Sequence, residues 1–354
     1  MWPIIRLTES RFRISNVKMT APSRLDPSCT TLTKFIFAEE NRIWQSTGEL
    51  TRLLNSIQMA TKSVSALVRR GGVSHLFTHA IGKQKETKRK AIANEIFINM
   101  LISSYSVGVI VSEENPKPLE VDRDHRGKYI VAIDPLEGLP DVDCNTAIGS
   151  IFLILDKGDD NLPTAQDVLF EDNQITAAGY ALYGSATTLV MSTGEGVNSF
   201  VLDTEIGEYI MTESNLKMPK KGNTYSINEG YTSSWDDLVK NYVNAKKFPH
   251  SGKPYTARYV GSMVADIHRT LKHGGIFMYP ANKEHPHGKL KLLYECKPMA
   301  FIIEQAGGLS TDGTRSILDV KPREVHQTTP IFLGSTNDVR EFLGLASKSV
   351  RSLQ

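Results

Sequence analysis

The sequence predicts a layered α/β protein with two sub-domains. Three patterns say so: helical apolar spacing ahead of residue 105, short apolar runs of strand length after it, and strands alternating with helices beyond residue 222. Taken in order, a first helix is expected over roughly Thr31 to Trp44. A second opens at Thr47-Gly48-Glu49 and carries Leu50, Leu53, Leu54, Ile57, Ala60, Val64, Leu67 and Val68 at three/four spacing. The basic stretch Arg69 to Lys90, with Gly71, Gly72 and Gly82, keeps no period and is expected to be a mobile loop. A third helix follows over about Ala91 to Ser104.

Val107 to Val111 and Tyr129 to Ile133 are apolar runs of the kind that form central strands buried on both faces. Gly149 to Leu155, Ile175 to Tyr183, Thr187 to Ser192, Ser199 to Leu202 and Glu208 to Met211 extend the series, crowded enough for antiparallel hairpins. Pro219-Lys-Lys-Gly222 marks a boundary, so residues 26–216 are expected to form one domain and 217–350 a smaller one. In the latter, Ser262 to Lys272 reads as a helix closed by Gly274-Gly275, and Ile276 to Tyr279 as a strand. Leu292 to Ala306 reads as a helix ended by Gly307-Gly308, Pro330 to Gly334 as a strand, and Asn337 to Ala346 as a last helix.

Composition narrows the function. The chain has 354 residues, 40% hydrophobic and 23% charged, enough apolar material for a sizeable core. Its 41 basic and 39 acidic residues leave +2, too balanced for an electrostatic nucleic-acid or membrane-surface binder, so neither partner is expected. No apolar run approaches a membrane span. Cys29, Cys144 and Cys296 are widely spaced, forming neither a disulfide framework nor a zinc set; structural thiols in a reducing compartment are expected. Residues 1–25 are a basic leader, with Arg6, Arg11, Arg13, Lys18 and Arg24 against Glu9 alone. A disordered terminus, or a true start at Met19, is preferred to a transit peptide, and the expected location is cytoplasmic with mitochondrial targeting left open.

Carboxylates stand where two strands end. Val107 to Val111 runs into Ser112-Glu113-Glu114, and Tyr129 to Ile133 runs into Asp134-Pro135-Leu136-Glu137-Gly138. In open α/β sheets the ligand crevice lies at the carboxyl ends of strands. Acids converging there repel unless a cation lies between them, and hard oxygen ligands suit magnesium or manganese. A lone Glu113-Glu114 pair more often solvates a loop; joined by Asp134 and Glu137 it points to metal binding.

The same residues carry a resemblance. Val111-Ser-Glu-Glu114, Asp134-Pro-Leu-Glu-Gly138, Ala178-Gly-Tyr-Ala-Leu-Tyr-Gly-Ser-Ala186 and Asn228-Glu-Gly-Tyr231 are similar to segments of the fructose-1,6-bisphosphatase family, animal type. So are Ala257-Arg-Tyr-Val-Gly-Ser-Met-Val-Ala-Asp266, Gly274-Gly-Ile-Phe-Met-Tyr-Pro-Ala-Asn282 and Leu293-Tyr-Glu-Cys296. The resemblance runs from about Thr31 to Leu343. It implies a layered αβαβα sugar-phosphatase fold, with an N-terminal mixed-sheet domain and a smaller C-terminal α/β domain. It also implies magnesium-dependent hydrolysis of the 1-phosphate of fructose 1,6-bisphosphate in gluconeogenesis, leaving fructose 6-phosphate.

Carried over residue by residue, the resemblance places metal ligands at Glu113, Asp134, the Leu136 carbonyl, Glu137 and Glu295. Glu114, with Glu113, falls on the catalytic positions. Substrate contacts fall on Glu137, Gly138, Asn228, Glu229, Gly230, Tyr231, Tyr259, Val260, Gly261, Ser262, Met263, Tyr279 and Lys289. Arg258 matches an arginine that reaches across a subunit interface, which implies a homotetramer or a hetero-oligomer with an active paralogue. Arg and Lys suit the remote phosphate.

The departures concern chemistry. The family motif Asp-Pro-Leu-Asp-Gly-Ser-Ser-Asn reads Asp134-Pro-Leu-Glu-Gly-Leu-Pro-Asp141 here. Glu137 lengthens an aspartate by a methylene, roughly 1.5 Å against the ~0.2 Å tolerance of a metal site. Leu139 and Pro140 replace two serines that cradle the reacting phosphate, and Asp141 adds a negative charge beside it. Between Arg69 and Lys90 the only carboxylate is Glu86, and Lys90 stands where the family needs an aspartate. Hydrolysis is therefore expected to be weak or lost.

An inhibitory AMP site is implied at Thr47, Gly48, Glu49, Leu50 and Thr51 with Lys128 and Tyr129. Asp156 falls where the family uses an arginine, so this site is expected to be weakened. Three readings follow: a working sugar bisphosphatase, a pseudoenzyme that binds sugar phosphate or assembles with an active paralogue, and, more weakly, inositol monophosphatase chemistry.

Overall fold

Helical spacing in the first hundred residues becomes a layer of helices on one face of a sheet. In the computed structural model, which describes residues 29–42, 48–70, 83–138, 146–159, 161–171 and 173–351, α1 spans Leu32–Arg42, α2 Glu49–Arg70 and α3 Lys83–Ile102. The α2 stripe is buried at Leu50, Leu53, Leu54, Ile57, Ala60 and Val64. Helix α3 starts at Lys83 rather than Ala91, so the end of the expected loop is helical. Lys, Gln, Glu and Arg are good helix formers and need no buried stripe to extend a helix that Ala93, Phe97 and Leu101 already anchor. The leader, Thr47, residues 71–82, Leu139, Pro140, Asp141 and Cys144 lie outside the described residues. Cys296 is buried and Cys29 half-buried.

The strand series follows: β1 (Val107–Ser112), β2 (Leu119–Glu120), β3 (Tyr129–Glu137), β4 (Ile148–Asp156), β5 (Gln174–Tyr183), β6 (Thr187–Ser192), β7 (Asn198–Asp203) and β8 (Glu208–Glu213). These form one sheet in the order β2-β1-β3-β4-β5-β6-β7-β8. From β3 to β8 it is an antiparallel meander, whereas β1 and β3 are parallel. Both faces of β3 are covered. Val131 and Ile133 pack with α2 and α3, while Ile130 and Ala132 pack with Leu293, Tyr294 and Phe301. Such a strand must be apolar at every position.

The C-terminal part contains β9 (Thr224–Ser226), α4 (Asp237–Lys247), β10 (Thr256–Ala257), α5 (Met263–His273), β11 (Ile276–Tyr279) and β12 (Leu290–Lys291). It continues through α6 (Lys297–Gln305), β13 (Leu309–Thr311), β14 (Thr328–Thr329), β15 (Ile331–Gly334) and α7 (Thr336–Arg351). Its sheet runs β10-β9-β11-β15-β13. One core joins Ile151 and Val190 of the first sheet, Val264 and Ile302 of α5 and α6, and Leu333 of the second sheet. Another joins the far side of that second sheet to α4 and α7 through Tyr242 and Phe342. The layers are thus αβαβα.

The helix expected over Leu292 to Ala306 is divided. Leu292–Cys296 forms a π-helical turn ahead of α6. Pro298 has no N–H to return to the Tyr294 carbonyl, so the first turn widens, and Glu295 sits within it. Helix α4 was not legible as periodicity. Asp236 caps it by accepting from Val239 N at 2.8 Å, but its buried stripe includes Lys246, whose Nζ is held by Asp338 and Glu341 at 3.3 and 2.8 Å.

Candidate active site

Because β1 and β3 are parallel neighbours, their carboxyl ends open at one edge. Ser112 is level with Ile133, and Glu113 N donates to the Ile133 carbonyl at 3.1 Å, so Glu113 and Glu114 stand beside Asp134. Asp134 is buried, and its Oδ1 accepts from Leu136 N at 3.1 Å where β3 bulges. Glu295 enters from the π-helical turn, its Oε2 accepting from Lys291 N at 2.5 Å. Burial first, then Glu113, Glu295 and Glu137, push the Asp134 carboxyl well up. Burial with Glu113 and Glu137 raises Glu295 too, against the Lys291 N–H. The fold therefore gathers the acids that the sequence placed at strand ends.

A cation already lies among them. Lys90 Nζ is 3.2 Å from Glu113 Oε2 and 3.1 Å from Glu114 Oε1. Burial opposes its charge, but Glu113, Asp134 and Glu114 together outweigh that and push the ammonium above its ordinary range. One helical turn on, Asn94 faces the same turn: its Nδ2 donates to Asn115 Oδ1 at 2.8 Å and its Oδ1 accepts from Ser112 Oγ at 2.7 Å. His326 Nε2 donates to the Asn115 carbonyl at 3.1 Å, which leaves Nδ1 to accept from the Tyr294 hydroxyl at 2.8 Å. Asn94, Asn115, Tyr294 and His326 were not singled out from sequence. Only the four-residue spacing of Lys90 and Asn94 on one helix face could have signalled part of this network.

Glu137 points elsewhere. Its carboxylate accepts from Met263 N at 2.7 Å, Ser262 Oγ at 2.9 Å and Val264 N at 3.3 Å, so it seats on the N-terminus of α5. Burial pushes the Glu137 carboxyl up to about 7, although these three donors pull the other way. The approach is close: Gly138 has φ +84°, and a Cβ there would lie 3.0 Å from Ser262 Cβ, so glycine is required. Among the described residues, no set of three acidic, histidine or cysteine side chains is arranged to hold a metal ion. With an ammonium on Glu113 and Glu137 spent on a helix cap, the donor set does not fit a divalent cation.

Several of the expected sugar contacts are brought together by the fold. Asn228, Tyr231 and Tyr279 line one shallow pocket with Trp235 and Met278. Tyr259 hydrogen-bonds Asn228, and burial followed by Tyr279 and Asp266 raises its phenol. Burial, Tyr231 and Glu295 raise that of Tyr279. Arg258 and Lys289 are exposed, and Arg258 Nη1 donates to the Ala257 carbonyl at 3.0 Å. Val260 N and Gly261 N donate to the fully buried Asp266 at 2.9 and 3.1 Å, and Asp266 also accepts from Arg269 Nη2 at 2.7 Å. Glu229 accepts from Tyr225 and Lys247 at 2.6 and 2.5 Å, and Gly230 N donates to Asn228 Oδ1 at 3.1 Å.

At the start of α2, Gly48, Glu49, Leu50 and Thr51 adjoin a carboxylate: Thr51 Oγ1 donates to Glu40 Oε2 at 2.7 Å. Lys128 Nζ lies 2.9 Å from Asp156 Oδ2 and 4.8 Å from the centre of the Tyr129 ring. The charge that a phosphate would seek there is already paired.

Comparisons with known proteins agree with this architecture. The family model for the fructose-1-6-bisphosphatase N-terminal domain matches residues 30–214, and that for the C-terminal domain matches 218–347. The chain is 49% identical over 336 residues to fructose-1,6-bisphosphatase isozyme 2 of Oryctolagus cuniculus, covering 94% of this chain and 99% of that one. It is 50% identical over 334 residues to fructose-1,6-bisphosphatase 1 of Mus musculus, covering 93% and 98%. A crystal structure of Leishmania major fructose-1,6-bisphosphatase in holo form superposes with a TM-score of 0.84 at 38% identity, over 90% of this chain and 99% of that one.

Proposed function

The chain belongs to the fructose-1,6-bisphosphatase family, and from that premise we propose that it keeps a pocket for fructose 1,6-bisphosphate or fructose 6-phosphate while hydrolysing the 1-phosphate weakly or not at all. One observation carries this: the Glu137 carboxylate sits on Met263 N, Ser262 Oγ and Val264 N. It occupies, with α5 donors, the oxygens of an acid beside the cluster where the family's magnesium or manganese chemistry would take place. It also fills donors at the α5 N-terminus that a sugar oxygen would use. Asn228, Tyr231, Tyr259 and Tyr279 remain together to hold the sugar, with Arg258 and Lys289 exposed to meet the remote phosphate.

Phosphate release from fructose 1,6-bisphosphate with magnesium or manganese is the direct test. Loss of one preorganised contact typically costs 10²–10³ in rate, so turnover roughly two or more orders of magnitude below an active family member is expected. Calorimetry should still detect fructose 6-phosphate. Rates equal to an active member's, or no heat with the sugar phosphate, would count against the proposal.

The second reading, assembly with an active paralogue, is favoured by Arg258, which is exposed and bonded only to the neighbouring Ala257 carbonyl among its side-chain contacts described. In the family arrangement such an arginine serves an adjacent subunit, so a tetramer, of this chain alone or mixed, is proposed in the cytoplasm. No helix among the described residues is long and apolar enough to cross a membrane. The AMP-type site is proposed to be weakened because Asp156 claims Lys128 at 2.9 Å. Asp156→Arg should raise AMP affinity by roughly tenfold, about 1.4 kcal/mol, in equilibrium binding. An unchanged affinity would exclude Asp156 as the cause.

A further inference from the structure

Building on that reading of the site, we infer that Lys90 is a built-in monovalent cation that stands in for a divalent ion, so that the acid cluster is assembled and charge-balanced without metal. The first support is geometric. Its ammonium contacts carboxylates of both Glu113 and Glu114, at 3.2 and 3.1 Å, and is close enough to Asp134 to act on it. A lysine ammonium is a compact point charge with three donors, suited to serving two carboxylates from one position.

The second support is mechanical. Lys90 is not a loose surface side chain, because α3 is fastened to the turn after β1 by Asn94, which pairs with Ser112 and Asn115. That turn is fastened in its own right to His326 and, through it, to Tyr294, the neighbour of Glu295. The lysine is therefore delivered to the acids by the same contacts that close the site. The third support is the fate of Glu137. The three donors at the α5 N-terminus serve the Glu137 carboxylate, so Glu113 and Glu114 are the acids left for the ammonium to serve, and a single positive charge suits two carboxylates better than the full set. A divalent ion on Glu113 would meet the ammonium at contact distance and be repelled.

The test uses the full-length protein, manganese as the probe, and two readouts other than activity: calorimetric uptake and thermal unfolding. Wild type and Lys90→Arg, which keep a cation, should show no saturable uptake at millimolar manganese and no rise in Tm. Lys90→Met should unfold at lower temperature in the absence of metal, take up one manganese per chain, and recover several degrees of Tm when it does. Saturable binding by the wild type at the affinity of Lys90→Met overturns the inference, as does a Lys90→Met protein that folds yet ignores manganese. If Lys90→Met does not fold, the wild-type titration decides: saturable uptake overturns the inference and its absence upholds it. Failure here is separable from failure of the proposed function. A wild type that binds manganese but releases no phosphate refutes only the role of Lys90. One that releases phosphate at family rates without divalent ions refutes only the loss of turnover.

Discussion

Reverting Lys90→Asp, Glu137→Asp, Leu139→Ser, Pro140→Ser and Asp141→Asn together is expected to raise phosphate release from fructose 1,6-bisphosphate by roughly 10³-fold or more over wild type. The changes act on different parts of one site. Lys90→Asp removes the ammonium now 3.2 and 3.1 Å from Glu113 and Glu114. Glu137→Asp shortens the side chain that reaches Met263 N at 2.7 Å, freeing that N–H and returning a carboxylate towards Asp134. The serines restore two hydroxyl donors and, in place of Pro140, a backbone N–H, while Asn removes a charge that repels phosphate. Lys90→Asp alone should give little, because Glu137 still occupies the α5 N-terminus; effects within one catalytic unit are strongly non-additive. Initial rates with magnesium, measured beside wild type and the single variant, decide the matter. A folded multiple revertant as slow as wild type would mean that the damage lies elsewhere in the chain.

What could be foreseen follows the range of the forces involved. Strands β1 and β3 were legible because a strand covered on both faces must be apolar at each position, a signal contained in five or six residues. The start of α3 was not, because Lys83 to Lys90 carries no stripe, and side-chain pattern alone does not separate a solvated helical extension from a loop. That local ambiguity hid the most informative contact in the site. The reversed charge at Lys90 could be read from the sequence, but its bridge to Glu113 and Glu114 depends on helical phase, which also sets Asn94 against Ser112. Glu137 shows the same limit. Its extra methylene was visible, yet where the longer arm goes depends on Ser262 and Met263, brought against β3 by folding. The π-helical turn at Glu295 was missed: apolar periodicity over Leu292 to Ala306 reads as one helix, and the missing N–H of Pro298 shows its effect only in the folded turn.

Asp266→Ala is expected to cost about 3–5 kcal/mol of stability and to abolish fructose 6-phosphate binding in calorimetry, although Asp266 is not itself one of the expected substrate contacts. It is fully buried on α5 and accepts from Val260 N at 2.9 Å, Gly261 N at 3.1 Å and Arg269 Nη2 at 2.7 Å. The segment it holds carries Arg258 and Tyr259, and Gly261 turns the chain there at φ +102°, a conformation open to glycine. Arg269 Nη2 also donates to the Arg258 carbonyl at 2.8 Å, so Asp266 aims the guanidinium that secures the start of the segment. Truncation leaves the half-buried Arg269 cation and two backbone donors without their acceptor, which is costlier than the bonds alone. Asp266→Asn separates charge from shape. It keeps one carbonyl acceptor for the N–H groups but weakens the pair with Arg269, so a loss of about 1–3 kcal/mol with measurable sugar-phosphate binding is expected. Urea unfolding of the three proteins gives the ranking. If Asp266→Ala matches wild type in both stability and sugar-phosphate affinity, the segment from Arg258 to Gly261 holds its shape without α5, and the pocket owes nothing to that strap.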